Sequence, residues 1–193
     1  SLGTWAATKG GVKKVYTMVS DLGPGHDGEQ GFLSGFKAAG GEVIGSVRFP
    51  VANPDFAAFV QRAKDLNPES IYIWVPGGAQ PAAIGKAFAE RGIDTKKTKV
   101  FGTGELTDDS ALKNMGDSAL GIITAWPYDH NLKTKLNQDF VTQYKKDFNG
   151  DNPNFFSAGG YDGMTLIYEA LKKTKGDGDA DKPFVEHAGP ARI

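Results

Sequence analysis

The feature that most constrains the fold of this chain is a repeated unit of strand, turn and helix. Its first copy starts with residues 12–20 (VKKVYTMVS), which are rich in β-branched and aromatic residues and lead into a glycine- and proline-rich turn and a helical pattern. Further strands are predicted at residues 42–49, 70–75, 98–103 and 120–125. Strands that alternate with helices at this spacing predict an α/β fold: a doubly wound, mostly parallel five-stranded sheet with helices on both faces.

The pattern changes after residue 126, where two further helices follow with no strand between them. They are predicted at residues 133–148 and 157–174, and both are amphipathic. Helices of this kind need an apolar surface to cover. From residue 175 onward the chain is a Gly- and Asp-rich linker and a short tail without periodicity.

Composition excludes several kinds of site. A net charge of −1 argues against nucleic acid or an anionic membrane as a partner bound by bulk electrostatics. The absence of cysteine excludes disulfides, thiolate catalysis and zinc sites with cysteine ligands. His26, His130 and His187 lie far apart without metal-ligand spacing, so we predict no metal site. No Gly-x-Ser-x-Gly motif is present, and we assign no catalytic residue.

A glycine-rich sequence after the first strand leaves one enzymatic interpretation open. Residues 23–28 (GPGHDG) match the GxGxxG pattern, in which a dinucleotide pyrophosphate lies at a helix N-terminus. Arg48 stands where an acid should bind the ribose, and Pro24 removes one N–H group, so both weaken this interpretation. The other interpretation is a turn that lets the helix pack closely on the sheet. A nucleotide-binding, Rossmann-like enzyme domain therefore remains the competing class.

The residues that follow the strands predict where a ligand would bind. Glu105 comes just after the fourth strand, at the edge where parallel sheets bind ligands. The other candidates at this edge follow strands one, three and five: Leu22, Gly23, Gly78, Ala79, Gln80, Trp126 and Tyr128. A carboxylate among aromatic groups and free backbone N–H groups can hold an ammonium, or a polar ligand with an apolar body. The alternative is that Glu105 only faces solvent in a loop.

At these residues the chain resembles the solute-binding proteins of ABC transporters, type I periplasmic fold, branched-chain amino acid (leucine/isoleucine/valine) receptor family. The matching stretches run from VKKVYTMVSDLGPGHDGEQGFLSGF through KVFGTGELTDD and GDSALGIITAWPYD to NPNFFSAGGYDGMTLIYEALKKT. The resemblance implies a two-lobed receptor that closes on a small solute in the periplasm and delivers it to a membrane permease. It implies no enzymatic activity and no cofactor.

The resemblance also implies a domain organisation. Residues 12–126 match the second, ligand-binding lobe, and residues 1–11 match the end of a helix of a first lobe that precedes it in the family. Residues 127–174 match a crossover and two helices that pack on the first lobe's sheet. Residues 175–193 form a linker and an atypical tail, and residues 183–193 resemble neither lobe, as expected of a truncated or frameshifted gene product.

The family's ligand contacts can be carried over at three places. The residue before Gly23, commonly Tyr, is Leu22 here, and the loop after strand three offers Ala79 and Gln80 instead of a tyrosine. The acid that pairs with a ligand's α-ammonium matches Glu105. A retained Glu105 favours branched-chain or related amino acids, whereas the lost tyrosines extend the candidates to aromatic carboxylates, amides or other small organic solutes. A sensory domain built on the same fold is a third possibility.

Two expectations follow from the missing first lobe. A single lobe leaves the solute half solvated, so we expect it to bind weakly or not at all. The apolar faces of the helices at 133–148 and 157–174 have lost their partner surface. We expect these helices to fold back onto the lobe's own sheet or to pack against a second copy as a homodimer.

Overall fold

The computed structural model describes residues 1–177, and within them five strands form one all-parallel sheet. The strands are β1 (Lys14–Ser20), β2 (Glu42–Phe49), β3 (Ser70–Trp74), β4 (Lys99–Thr103) and β5 (Ile122–Ala125). The helices are α1 (Leu2–Ala7), α2 (Gly23–Ala38), α3 (Phe56–Asp65), α4 (Gln80–Arg91), α5 (Asp109–Met115), α6 (Lys135–Asp147) and α7 (Phe155–Lys173). The predicted fold class is therefore confirmed, and each strand lies within two residues of its predicted bounds.

The differences at the element ends have local causes. Asp55, not Asn53, caps α3, because Asn53 has a positive φ of 48° while the Asp55 carboxylate accepts from the Ala58 N–H. Asp108 caps α5 as predicted. β5 starts two residues late because Gly121, at φ 88°, turns the chain into the strand.

The strand order is β2-β1-β3-β4-β5, so the chain reverses its direction of growth beside β1. The β1–α2–β2 unit adds a strand on one side, and the next crossover places β3 on the other side of β1. In sheets of this kind the ligand crevice opens at the carboxyl ends of the two strands that flank the reversal. Here those strands are β1 and β3.

Helices cover both faces of the sheet. On one face α1 and α2 bury a cluster that includes Phe32, Phe36 and Tyr72, with Phe32 stacked 4.4 Å from Tyr72. On the other face α3 and α4 enclose a larger apolar cluster: Met18, Phe49, Phe56, Val60, Ile71, Ile73, Ile84 and Phe88. Both faces are thus dry, which explains why the central strand β3 is apolar throughout and fully buried.

The short helix α1 packs tightly against α2. A Cβ at Gly3 would lie 1.9 Å from the Phe32 carbonyl oxygen, and Ala6 and Ala7 are completely buried. The segment assigned by resemblance to the end of a first-lobe helix therefore belongs to the core of the same compact unit as the sheet, Ser1–Ala125.

A second compact unit begins at Trp126 and contains α6 and α7. The two helices contact each other through Phe140 and Tyr161, whose rings lie 4.8 Å apart, and through a hydrogen bond between Ser157 and the Tyr144 hydroxyl. Much of their apolar surface is exposed: Leu136, Phe148, Phe156, Tyr161, Met164, Ile167 and Tyr168.

Two expectations meet the limits of the described chain. The atypical tail at residues 183–193, and all of the linker beyond residue 177, lie outside the described residues. None of the helices within residues 1–177 has the length and apolar character needed to span a bilayer.

Candidate functional site

Six of the eight predicted contact residues lie in the first unit, at the carboxyl edge of the sheet. Leu22 and Gly23 follow β1 directly, and Gly78, Ala79 and Gln80 lie in and after the loop that follows β3. These two loops leave the strands on either side of the reversal in strand order, where a ligand crevice is expected. Glu105 follows β4 in a short 3-10 helix, Gly104–Thr107.

The glycines of the GxGxxG sequence serve close packing. A Cβ at Gly25 would lie 2.3 Å from the Ser20 carbonyl oxygen, and one at Gly28 would lie 3.0 Å from the Trp74 ring and the Tyr72 hydroxyl. These residues form the first turns of α2, so the helix begins directly against the ends of β1 and β3. The interpretation of this sequence as a close-packed turn is confirmed.

Two side-chain acceptors at this edge are buried and without a hydrogen-bond partner. They are Oε2 of Glu105 and Oε1 of Gln80. The amide of Gln80 donates to the Val51 carbonyl at 2.8 Å, which orients the side chain and leaves the oxygen free. Since a buried polar atom left unpaired costs about 1–3 kcal/mol, a pair of such atoms in one edge indicates a place that a polar ligand completes.

Two hydroxyl groups that the sequence analysis did not select belong to the same set. Ser20 ends β1 and Thr103 ends β4, and the Oγ of Ser20 and the Oγ1 of Thr103 are buried without partners. Ser20 is completely buried. The available signal was their position, since each is a hydroxyl residue at the last position of a strand that leads into a predicted contact loop.

A buried acidic network lies beneath the edge on the α2 face. Glu29, 4% exposed, accepts from the Thr17 hydroxyl at 2.5 Å and from Arg48 at 2.7 Å. Arg48 was the residue that could have met a 2′-phosphate, and its guanidinium is held by Glu29 instead. Burial, followed by the negative charges of Glu105 and Glu29, raises the pKa of the Tyr72 hydroxyl well above its ordinary value.

The helices of the first unit differ in how their N-termini are capped. Side chains of Asp55 and Asp108 accept from first-turn N–H groups of α3 and α5. By contrast, α2 and α4 begin at Leu22 and Ala79 with no side-chain cap. First-turn N–H groups have no partner within a helix, so α2 and α4 present free donors beside the predicted contact residues.

Trp126 and Tyr128 lie in the second unit. Trp126 packs edge-on against Phe155, with ring centres 5.0 Å apart. The Tyr128 hydroxyl donates to Oδ1 of the buried Asn137 at 2.8 Å, and burial, followed by the charge of Asp129, raises the pKa of Tyr128. Both side chains therefore have structural partners, and their role as ligand contacts stays a prediction.

His26 pairs with a neighbouring acid at the surface. Its Nε2 lies 2.7 Å from the Asp21 carboxylate, and both side chains are substantially exposed. Within residues 1–177 no group of three metal-ligating side chains comes together. The arrangement at the carboxyl edge therefore offers hydrogen bonds and one carboxylate, which suits reversible binding of a small polar molecule.

Comparison with known proteins identifies the family. A family model described as periplasmic binding protein matches residues 1–186. Among curated proteins, the chain is similar to Leu/Ile/Val-binding protein homolog 6 of Brucella melitensis, at 38% identity over 173 residues. This match covers 89% of the chain and 44% of the relative, so the chain spans less than half of that relative's length.

Solved structures show the same fold. The chain is 47% identical to an ABC transporter solute-binding protein of Rhodopseudomonas palustris BisB5 in complex with 3,4-dihydroxy benzoic acid, with a TM-score of 0.84, covering 93% of the chain and 49% of that protein. It is 32% identical to another solute-binding protein of R. palustris, in complex with 4-hydroxybenzoate, with a TM-score of 0.86, covering 96% and 50%.

Proposed function

The chain belongs to the periplasmic binding protein family, and we propose that it forms the ligand-binding lobe of an extracytoplasmic receptor. In this proposal the receptor binds a small organic solute in the periplasm and delivers it to the permease of an ABC importer. Its role is binding without catalysis and without a cofactor. The relatives are about twice as long as the chain, so a complete receptor would enclose the solute between this lobe and another.

One observation carries the proposal: the unpartnered, buried acceptor oxygens of Glu105 and Gln80 at the carboxyl edge. Structural carboxylates in this chain have partners, as Glu29 does with Thr17 and Arg48. Glu105 Oε2 stays unpaired although it is equally removed from water. A solute that donates a hydrogen bond there would recover the free energy lost on burial.

Two classes of solute fit this site. Branched-chain or related amino acids are suggested by the name of the Brucella relative and by a carboxylate that can pair with an α-ammonium. Hydroxylated aromatic acids are suggested by the two R. palustris complexes and by the aliphatic Leu22 and Ala79, which leave room where the family commonly has tyrosines. Both classes have an apolar body and at least one hydrogen-bond donor.

The proposal can be tested by amide NMR titration of the chain, which detects millimolar binding. We expect leucine or 4-hydroxybenzoate to shift the amides of Gly23, Gly78 and Gly104, which lie at the carboxyl edge. Glu105→Gln should weaken the effect. Glu90→Gln, a matched change at an exposed position of α4, should not. If neither solute moves these amides, or if NAD(P) alone moves residues 23–28, the receptor proposal is wrong.

We also propose that two copies of the chain associate through α6 and α7. The support is the apolar surface that these helices expose, including Phe148, Phe156 and Tyr168, each more than half exposed. Sedimentation velocity should then show a dimer, and Tyr168→Lys with Phe156→Glu should convert it to a monomer. A native chain that sediments as a monomer at high micromolar concentration would contradict the proposal.

A further inference from the structure

The hydrogen-bonding groups at the carboxyl edge are of two kinds, and together they restrict the chemistry of the solute. Glu105 Oε2 and Gln80 Oε1 are buried acceptors without donors. The first turns of α2 and α4 hold N–H donors without a side-chain acceptor, whereas α3 and α5 are capped by their own aspartates. A solute that completes this edge must therefore both donate and accept.

A carboxylate cannot complete the edge. The loops that follow β1, β2, β3 and β4 contain no lysine or arginine. Arg48, near the end of β2, is already bound by Glu29 at 2.7 Å. A solute carboxylate at this edge would lie beside two unpaired acceptor oxygens with no cation to offset the repulsion. The anionic end of the solute must point away from this lobe.

An ammonium completes only half of the edge. It can donate to Glu105 and Gln80, but it has no lone pair for the N–H groups of α2 and α4. It would also lie near the positive ends of two uncapped helices, where a cation is disfavoured. A hydroxyl group donates once and accepts twice, so it can bond Glu105 and a helix N–H at the same time.

We propose that the solute presents one or more neutral hydroxyl groups to this lobe, with its carboxylate directed away, which selects hydroxylated aromatic acids over amino acids. The buried hydroxyls of Ser20 and Thr103, which can either donate or accept, extend the same chemistry to a second solute hydroxyl. This inference rests on the proposed receptor function and on the same site.

The test compares four probes on the native chain by amide NMR titration: a para-hydroxylated benzoate, its methyl ether, unsubstituted benzoate and leucine. The methyl ether keeps an acceptor oxygen and loses the donated hydrogen. We expect the hydroxylated acid to bind at least about tenfold more tightly than the ether or the benzoate, since hydrogen bonds to charged groups are worth about one tenfold step or more. Leucine should bind more weakly still.

A variant assigns the effect to Glu105. Glu105→Gln should reduce the affinity for the hydroxylated acid about tenfold and leave that for the methyl ether unchanged, because only the former donates to the carboxylate. Glu90→Gln is the matched control. If leucine binds while the hydroxylated acid does not, or if the acid and its ether bind equally, the inference is wrong and the receptor function stands. If no probe shifts amides at the edge, both are wrong.

Discussion

Replacing Gly25 by alanine tests the contact that fixes the start of α2. The added Cβ would lie 2.3 Å from the Ser20 carbonyl oxygen, whereas ordinary van der Waals contacts begin at 3.4 Å. The obstructing atom belongs to the backbone of β1, so the helix must move by about one ångström. Overpacking of this kind costs about 1–3 kcal/mol of unfolding free energy.

The opposing effect can be measured in the same helix. Alanine is favoured over glycine in helices by about 1 kcal/mol, which offsets part of the cost at Gly25. Gly31 also lies in α2, and a Cβ there meets nothing within 4 Å. Gly31→Ala should therefore stabilise the chain by up to about 1 kcal/mol, and the difference between the two variants isolates the clash, at about 1–3 kcal/mol.

The assay is urea unfolding followed by tryptophan fluorescence and far-ultraviolet circular dichroism. Trp74 is 6% exposed and lies against Gly25 and Gly28, so its emission should also change in the folded Gly25→Ala variant. If Gly25→Ala and Gly31→Ala have the same free energy of unfolding, the helix does not begin against β1, and the close-packing explanation of the glycines is refuted.

Three further outcomes are expected from single side chains. Because burial raises the pKa of Tyr72, the unfolded chain loses this proton first, so stability should fall above about pH 10 by up to about 1.4 kcal/mol per pH unit; Tyr72→Phe should flatten that fall in urea titrations. Thr17→Val removes the hydroxyl that donates to buried Glu29 and should lower the unfolding free energy by about 1–3 kcal/mol, measured by the same titration. Asn137 is fully buried and donates to two backbone carbonyls, so Asn137→Ala should expose the amides of α6 to hydrogen exchange; unchanged protection would contradict this.

The sheet could be predicted from sequence because each of its signals is local. Alternation, β-branched runs and glycine or proline stops place β2 at residues 42–49 without any knowledge of its neighbours, and the structure has the same bounds. The packing of α1 could not be predicted in this way. It depends on Gly3 and Gly35 approaching across the α1–α2 contact, two positions far apart in sequence.

The site could be predicted only as a location. The position of Glu105 after β4 placed it at the carboxyl edge, since that inference needs only strand direction. Whether its oxygen is buried and unpaired depends on the surrounding atoms, which is also why Ser20 and Thr103 were missed. Tyr128 shows the opposite limit, because its hydroxyl has a partner in Asn137 that the sequence pattern does not reveal.

The first turns of α2 connect the stability of the lobe with its binding chemistry. Glycine at positions 23, 25 and 28 lowers helix propensity by up to about 1 kcal/mol each. At Gly25 and Gly28 this loss permits contact with Ser20, Tyr72 and Trp74, which no larger residue allows. The same contact places the uncapped N–H groups of α2 at the carboxyl ends of β1 and β3. Any side chain that pushes α2 away from the sheet must therefore also displace the donors proposed to bind the solute hydroxyl, so binding should be lost together with stability at Gly25 and retained at Gly31.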